Sequence, residues 1–211
     1  MSVNDIDTSV YTHVHFAFAT INPDWSLNIS TVAAQFPFFV AMRDVKRIIS
    51  IGKWGFSTDP GTYKIFREVV NSESSRQTLV SNVVDFLIEH NLDGVDWDWE
   101  YPNEPDIPGI PAGTVADSTG LFLLLEELSV AIAARAPGRT VSITAPSSYW
   151  YLREFPILAL SYVVDYIVYM TYDLHGQWDY GSSFDDPGCP LGGCLRSHVS
   201  QLRMVLVFGQ D

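Results

Sequence analysis

Asp96, Asp98 and Glu100 alternate with Val95, Trp97 and Trp99 in the stretch Asp93-Gly94-Val95-Asp96-Trp97-Asp98-Trp99-Glu100, and no other feature restricts the fold as much. In a β-strand alternate side chains share a face, so the three acids point one way. Val95, Trp97 and Trp99 then point the other way, toward packing helices. Carboxylates on the inner face of a buried strand are costly unless they share protons or meet donors. A purely structural strand has no reason to bear that cost. An active site does, because crowded carboxylates raise one another's pKa and keep one protonated near neutral pH. A calcium loop also spaces aspartates by two, but it needs a Gly at its sixth position and a Glu at its twelfth, inside a polar turn. Val and Trp between these acids belong in a strand, so catalysis is the better reading and no metal site is assigned.

Around this strand, apolar runs of strand length alternate with amphipathic stretches. Val10 to Thr20, the run Ile-Ile-Ser-Ile-Gly within Arg47 to Trp54, Leu92 to Glu100, Thr140 to Ala145 and Val163 to Tyr172 read as strands. Gly61 to Asn71 and Ser74 to Asn91 read as helices, the second with Leu79, Val83, Phe86 and Leu87 at helical spacing. Leu121, Leu124, Leu125, Leu128 and Ile132 define another, which stops at Pro137-Gly138. This order, with connections long enough to cross over, predicts an α/β fold with a parallel sheet flanked by helices. An open doubly wound sheet and a (β/α)8 barrel both fit. The absence of a Gly-rich phosphate loop after the first strand weighs against the nucleotide-binding version.

The 211 residues, 47% of them hydrophobic, suffice for one sizeable domain. A formal charge of −13 repels nucleic acid and anionic membrane surfaces and favours a neutral or cationic partner. No uncharged apolar run reaches membrane-spanning length. Met1 is followed by Ser-Val-Asn-Asp-Ile-Asp, acidic where a secretory signal is basic and then apolar, so no signal peptide is expected in this chain. Cys189 and Cys194 lie close together in a Gly- and Pro-rich loop, where a local disulfide and two free thiols both fit.

The acidic stretch matches the signature of family 18 glycoside hydrolases, the chitinases and their relatives. Tyr11-Thr12-His13-Val14-His15-Phe16-Ala17-Phe18 resembles that family's second barrel strand, Ile49-Ser50-Ile51-Gly52-Lys53-Trp54 its third, and Met170-Thr171-Tyr172-Asp173 its sixth. Tyr172-Asp173-Leu174-His175-Gly176-Gln177-Trp178-Asp179, with the Cys189 to Ser197 loop, is similar to the fungal killer-toxin-like branch. The resemblance implies a (β/α)8 barrel represented by strands two to six of eight, residues 1–211 forming a partial catalytic domain. A complete barrel takes about 250 residues. The family's first, seventh and eighth strands, and the site tryptophan the eighth supplies, have no counterpart here.

By the same resemblance, the reaction is retaining and substrate-assisted, an exception to the two-carboxylate scheme. Glu100 is the expected general acid, Asp98 the residue that orients the acetamido group, and Asp96 its proton-sharing partner in one coupled set. Tyr172 is expected to donate to the acetamido oxygen. Asp173 fits sugar binding and also a turn cap, and Met170 fits a site wall and also core filling. Trp54, Trp178 and Tyr101 are assigned to substrate binding, though isolated tryptophans, Trp150 included, are as often core residues. Asp93, off the acidic face by parity, is read as structural, as are Gly94 and Gly52. No cofactor is implied, and the expected partner is chitin or N-acetylglucosamine oligosaccharides, bound by a monomer that in the parent family works outside the cell.

Lys53 departs from the family pattern, which has a second Gly there. A cation so close to the acids either lowers the pKa of Glu100 or carries its head away into solvent. Two other readings share the signature: an endo-β-N-acetylglucosaminidase acting on N-glycans, and a lectin-like chitin-binding protein without catalysis. Retention of Glu100 argues against the second.

Overall fold

The structure is a computed structural model that describes residues 2–175. In chain order it contains strands β1 (His13–Ile21) and β2 (Leu27–Asn28), helix α1 (Phe36–Val40), strand β3 (Lys46–Gly52), and helices α2 (Trp54–Thr58), α3 (Lys64–Val70) and α4 (Glu73–Glu89). Strand β4 (Gly94–Asp98), helix α5 (Val115–Arg135), strand β5 (Thr140–Pro146), helices α6 (Tyr149–Leu152) and α7 (Ile157–Leu160), and strand β6 (Tyr166–Met170) follow.

The strands form one sheet in the order β2-β1-β3-β4-β5-β6, parallel from β1 to β6, with β2 antiparallel to β1. The acidic strand β4 therefore lies between two neighbours, and all five of its residues are buried. Register sets Ser50, Asp96, Ser142 and Tyr166 in one row, and Gly52 beside Asp98 in the next.

The sheet is curled. His15 on β1 and Tyr166 on β6 are four strands apart, about 19 Å in a flat sheet at the usual strand spacing. Yet His15 Nε2 lies 3.0 Å from the Tyr166 hydroxyl. Only a sheet bent like a barrel wall lets inward side chains meet that way. This distinguishes the barrel from the open doubly wound alternative.

The outer face carries the core. Phe66 of α3 lies against Trp97 and stacks on Trp99, with centroids 5.5 and 5.2 Å away. Leu79, Val83 and Leu87 of α4 and Leu121, Leu124, Leu125 and Leu128 of α5 are almost wholly buried beside them. Helix starts are set locally. The Ser72 hydroxyl caps α4, and Asp117 Oδ2 accepts the Thr114 N–H at 2.8 Å where α5 begins.

Boundaries shift where polar side chains capture the backbone. Asp7 folds Thr8–Val10 into a 3₁₀ turn, so β1 begins three residues later than its apolar pattern. Asp59 Oδ1 accepts the Gly61 N–H at 2.8 Å, closing a turn that delays α3 to Lys64. Likewise β6 begins at Tyr166, after Asp165 Oδ2 accepts the Val141 N–H at 2.7 Å. The short β2, α1, α2, α6 and α7 had no periodic signal long enough to register. No helix among the described residues is long and apolar enough to cross a membrane.

Candidate active site

Asp96 and Asp98 leave β4 on its inner face and are 2% and 3% exposed. Each meets hydroxyl donors from the flanking strands. Asp96 accepts from Ser50 Oγ on β3 at 2.9 Å and from Ser142 Oγ on β5 at 2.7 Å. Asp98 accepts from Thr144 Oγ1 on β5 at 2.7 Å. Both oxygens of Asp96 thus accept from serines, and its charge acts on Asp98. Burial pushes Asp98 up to about 6, opposed by Thr144 and assisted by the negative charge of Asp96.

Glu100 sits two residues past Asp98, beyond the carboxyl end of β4. Its backbone N–H donates to Ser57 Oγ at 3.0 Å, which fixes the strand exit against α2. Its Oε2 accepts from the Tyr101 hydroxyl at 3.2 Å. Burial, then the charge of Asp98, push its carboxyl up to about 7, while the Tyr101 hydroxyl and the Trp54 backbone N–H pull it down. A carboxylic acid of that strength keeps much of its proton at neutral pH and can give it away.

Tyr172 and Asp173 follow β6 at the same end of the sheet and are both exposed, Tyr172 at 48%. Burial and the charges of Asp98, Glu100, Asp173 and Asp96 all push the Tyr172 hydroxyl upward, which places it in the field of the whole acidic group. Asp173 also raises Glu100 and has a left-handed backbone, φ 54°. Met170, 5% exposed, ends β6 below them. Trp54 is 47% exposed and meets Tyr101 edge-on at 6.3 Å, and Tyr101 stacks on Tyr151 at 4.6 Å. Trp54 is therefore open to a ligand beside Glu100, as Trp150 is not on one face, where the Arg153 guanidinium covers its ring at 3.7 Å.

Asp93 lies at the opposite end of β4. It accepts from Arg47 N at 2.9 Å and Arg47 Nε at 3.1 Å, with Lys46 Nζ at 3.5 Å. Burial opposes its ionisation, but those Arg47 bonds and the two cations hold its carboxyl below the usual range. Gly94 has no room for a side chain: a Cβ there would lie 2.4 Å from Thr140 Oγ1. Gly52 has φ 128°, and a Cβ there would lie 2.0 Å from the Asp98 carbonyl oxygen. Lys53 takes φ 113° and ψ 164°, a region suited to glycine, with its side chain exposed. It does not depress Glu100, whose carboxyl stands well above its ordinary value. Of the two outcomes open to Lys53, the head lies in solvent.

Six supporting residues escaped the sequence reading: Ser50, Ser142, Thr144, Ser57, His15 and Tyr166. For Ser50, Ser142 and Thr144 a signal was present, as small hydroxyls at alternate positions of apolar strands, Ile-Ile-Ser-Ile-Gly and Val-Ser-Ile-Thr-Ala. Register against β4 is what turns that alternation into donors for Asp96 and Asp98. Trp178, Cys189 and Cys194 lie outside the described residues. Among the described residues no group of three His, Cys, Asp or Glu is arranged to hold a metal ion.

A curled parallel sheet with an acid cluster at the carboxyl end of an inner strand defines part of a β/α barrel with its site in the usual place. The chain belongs to glycosyl hydrolases family 18, whose model matches residues 2–201. It is 48% identical over 200 residues to a secreted chitinase of Penicillium expansum, covering 94% of this chain and 13% of that protein. It is 43% identical over 183 residues to the killer toxin subunits alpha/beta of Kluyveromyces lactis, covering 87% of this chain and 16% of that protein. Among solved structures it resembles the second catalytic domain of an Ostrinia furnacalis Group II chitinase, a mutant in complex with an N-acetylchito-oligosaccharide. The TM-score is 0.75 at 29% identity, over 86% of this chain and 48% of that one. The chain thus spans a small part of the curated relatives and about half of that domain.

Proposed function

We propose that this domain cleaves β-1,4-linked N-acetylglucosamine polymers with retention, using the substrate's own acetamido group as nucleophile. One observation carries the reading: Glu100, at the strand exit, is raised to about 7 beside two ionisable aspartates aligned on one face. Glu100 gives its proton to the glycosidic oxygen as the bond to the anomeric carbon breaks. The acetamido carbonyl oxygen attacks that carbon, and an oxazolinium ion forms. Asp98 accepts the acetamido N–H and offsets the positive charge, with Asp96 behind it as a second negative charge. Tyr172 donates to the acetamido oxygen. Water then opens the ring from the face the leaving group vacated, and the Glu100 carboxylate takes its proton. Asp173, Met170, Trp54 and Tyr101 line the sugar path.

The raised, half-buried Glu100 supports this reading over a binding-only protein, which has no use for a carboxyl kept protonated near neutral pH. The domain acts as a monomer on extracellular chitin, a location supported by the Penicillium relative's name. Hydrolysis of a fluorogenic chitotriose by the purified chain tests the reading. Release of fluorophore that disappears in Glu100→Gln supports it; chitin binding without release, at any pH between about 5 and 8, sinks it.

A further inference from the structure

The acidic triad has a further supporting group, on β1, that the mechanism above does not use. His15 projects from β1 across the barrel interior, its side chain 25% exposed. Its Nδ1 lies 3.4 Å from Asp96 Oδ2, the oxygen that also receives Ser50, and its Nε2 lies 3.0 Å from the Tyr166 hydroxyl. Tyr166 in turn stands in the row of Ser142 and Asp96, and the ring of His13 meets it edge-on at 5.7 Å. Two strands that are not neighbours in the sheet thereby converge on a single carboxylate.

The chemistry of the partners fixes the imidazole's orientation of charge. A carboxylate only accepts, so a ring facing it across 3.4 Å is favoured with its hydrogen on Nδ1. In the neutral ring Nε2 is then an acceptor, and the Tyr166 hydroxyl donates to it. That is the less usual protonation of a free imidazole, so it needs both neighbours to hold it. The 3.4 Å contact is long for a hydrogen bond and supplies charge stabilisation rather than a tight clamp.

We propose that His15 is a positioning residue for Asp96: with Nδ1–H toward Oδ2 it favours the side-chain orientation in which that carboxylate meets its two serines, with Tyr166 fixing the tautomer. The inference rests on the functional reading above in one respect, that the negative charge of the Asp96–Asp98 pair is needed when the oxazolinium ion forms. The groups that face His15 are Asp96 from β4 and Tyr166 from β6, with His13 on its own strand beyond the tyrosine ring. Loss of the Nδ1 donor leaves the Asp96 carboxylate held by its serines alone. The carboxylate is then less well placed behind Asp98, and turnover falls while substrate binding is little affected.

The test compares His15→Leu, which keeps bulk, with His15→Asn, whose side-chain amide reproduces a donor near Nδ1. In the 211-residue chain, His15→Leu is expected to lower kcat for chitotriose about tenfold with KM little changed. His15→Asn should recover kcat to within about threefold. If the two variants lose activity alike, in step with thermal stability, His15 is a packing residue and the proposal is overturned. An unchanged kcat in His15→Leu overturns it equally. Imidazole ¹⁵N spectra of the wild-type chain near pH 8 decide independently of turnover: His15 protonated at Nδ1 supports the assignment, and protonation at Nε2 refutes it. A chain that hydrolyses nothing but shows the Nδ1–H form would defeat the functional reading and leave this placement standing.

Discussion

Thr144 Oγ1 donates to Asp98 Oδ1 at 2.7 Å, and that bond is what keeps burial from raising the aspartate further than about 6. The two residues sit on adjacent parallel strands, one step beyond the Trp97–Ile143 pair in register. A hydroxyl placed there stabilises the charged form of Asp98 at the moment charge is wanted. Thr144→Val keeps the shape and removes the donor. Asp98 should then titrate above about 6, and the acidic limb of the chitotriose profile should move upward by about one unit, since a charge-assisted hydrogen bond is worth about 1.5–3 kcal/mol. Rates measured from about pH 4 to 9 check this; an unmoved limb would show that Thr144 does not control Asp98.

Glu100 titrates on the other side of that profile. It acts as an acid only while protonated, so activity should fall as pH rises through about 7. The same shift has a cost in stability. The folded state raises this carboxyl from 4.5 to about 7, so it binds the proton more tightly folded than unfolded. Its contribution is favourable at low pH and is lost as pH climbs from about 4.5 to about 7, a change of about 3 kcal/mol at most. Glu100→Gln removes that titration. Its thermal midpoint at pH 8 should exceed wild type, with the gap closing below about pH 4.5, while turnover drops by about 100-fold or more. Calorimetry across pH provides the check.

Asp93 carries the opposite sign. Its carboxyl is held low by Arg47 and Lys46, so its contribution is present above the ordinary aspartate range and is lost as pH falls through its depressed value. Arg47, 8% exposed, also donates 2.6 Å bonds to the Val40 and Asn91 carbonyls, so it cannot leave when the acid is removed. Asp93→Ala should cost about 3 kcal/mol at neutral pH, with the deficit shrinking in acid. Urea unfolding at pH 7 and pH 3 measures both halves. An equal deficit at the two values would mean packing, not charge.

Much of this arrangement was legible in the sequence alone. The alternation of Val and Trp with Asp and Glu settled the inner and outer faces of β4, because period two leaves no other assignment once the strand is buried. Phe66 against Trp97 and Trp99 is the packing that assignment demanded. Barrel curvature was less accessible. It follows from the meeting of His15 and Tyr166, a contact across 151 residues of sequence that no local pattern encodes. The serine and threonine donors were missed for a related reason. Each looks like an ordinary strand residue until register sets it beside an aspartate, and register is a property of two strands. Element edges went astray where Asp7, Asp59 and Asp165 captured backbone N–H groups that periodicity would have given to strands and helices.

Gly52 and Lys53 turn the same corner and predict opposite responses. Both backbones are left-handed, at φ 128° and φ 113°, and the Lys53 N–H donates to the Asp98 carbonyl at 3.0 Å. At Gly52 the left-handed geometry is coupled to contact: a Cβ would meet the Asp98 carbonyl oxygen at 2.0 Å and the Phe66 ring at 3.0 Å, and the Asp98 backbone cannot yield as a flexible side chain would. Gly52→Ala should therefore displace β4 at Asp98 and destabilise the chain by about 4 kcal/mol or more. At Lys53 the side chain points into solvent and the cost is conformational only. A non-glycine residue in that region costs about 1–3 kcal/mol, of which the entropy of an unfolded glycine offsets part. Lys53→Gly should raise stability by about 1 kcal/mol, about 2–4 °C in thermal midpoint for a chain of this size. The alkaline limb near 7 should stay in place, because the lysine is not among the groups that set Glu100. A limb that moved upward on removing the cation would instead bring the ammonium back within reach of the acid.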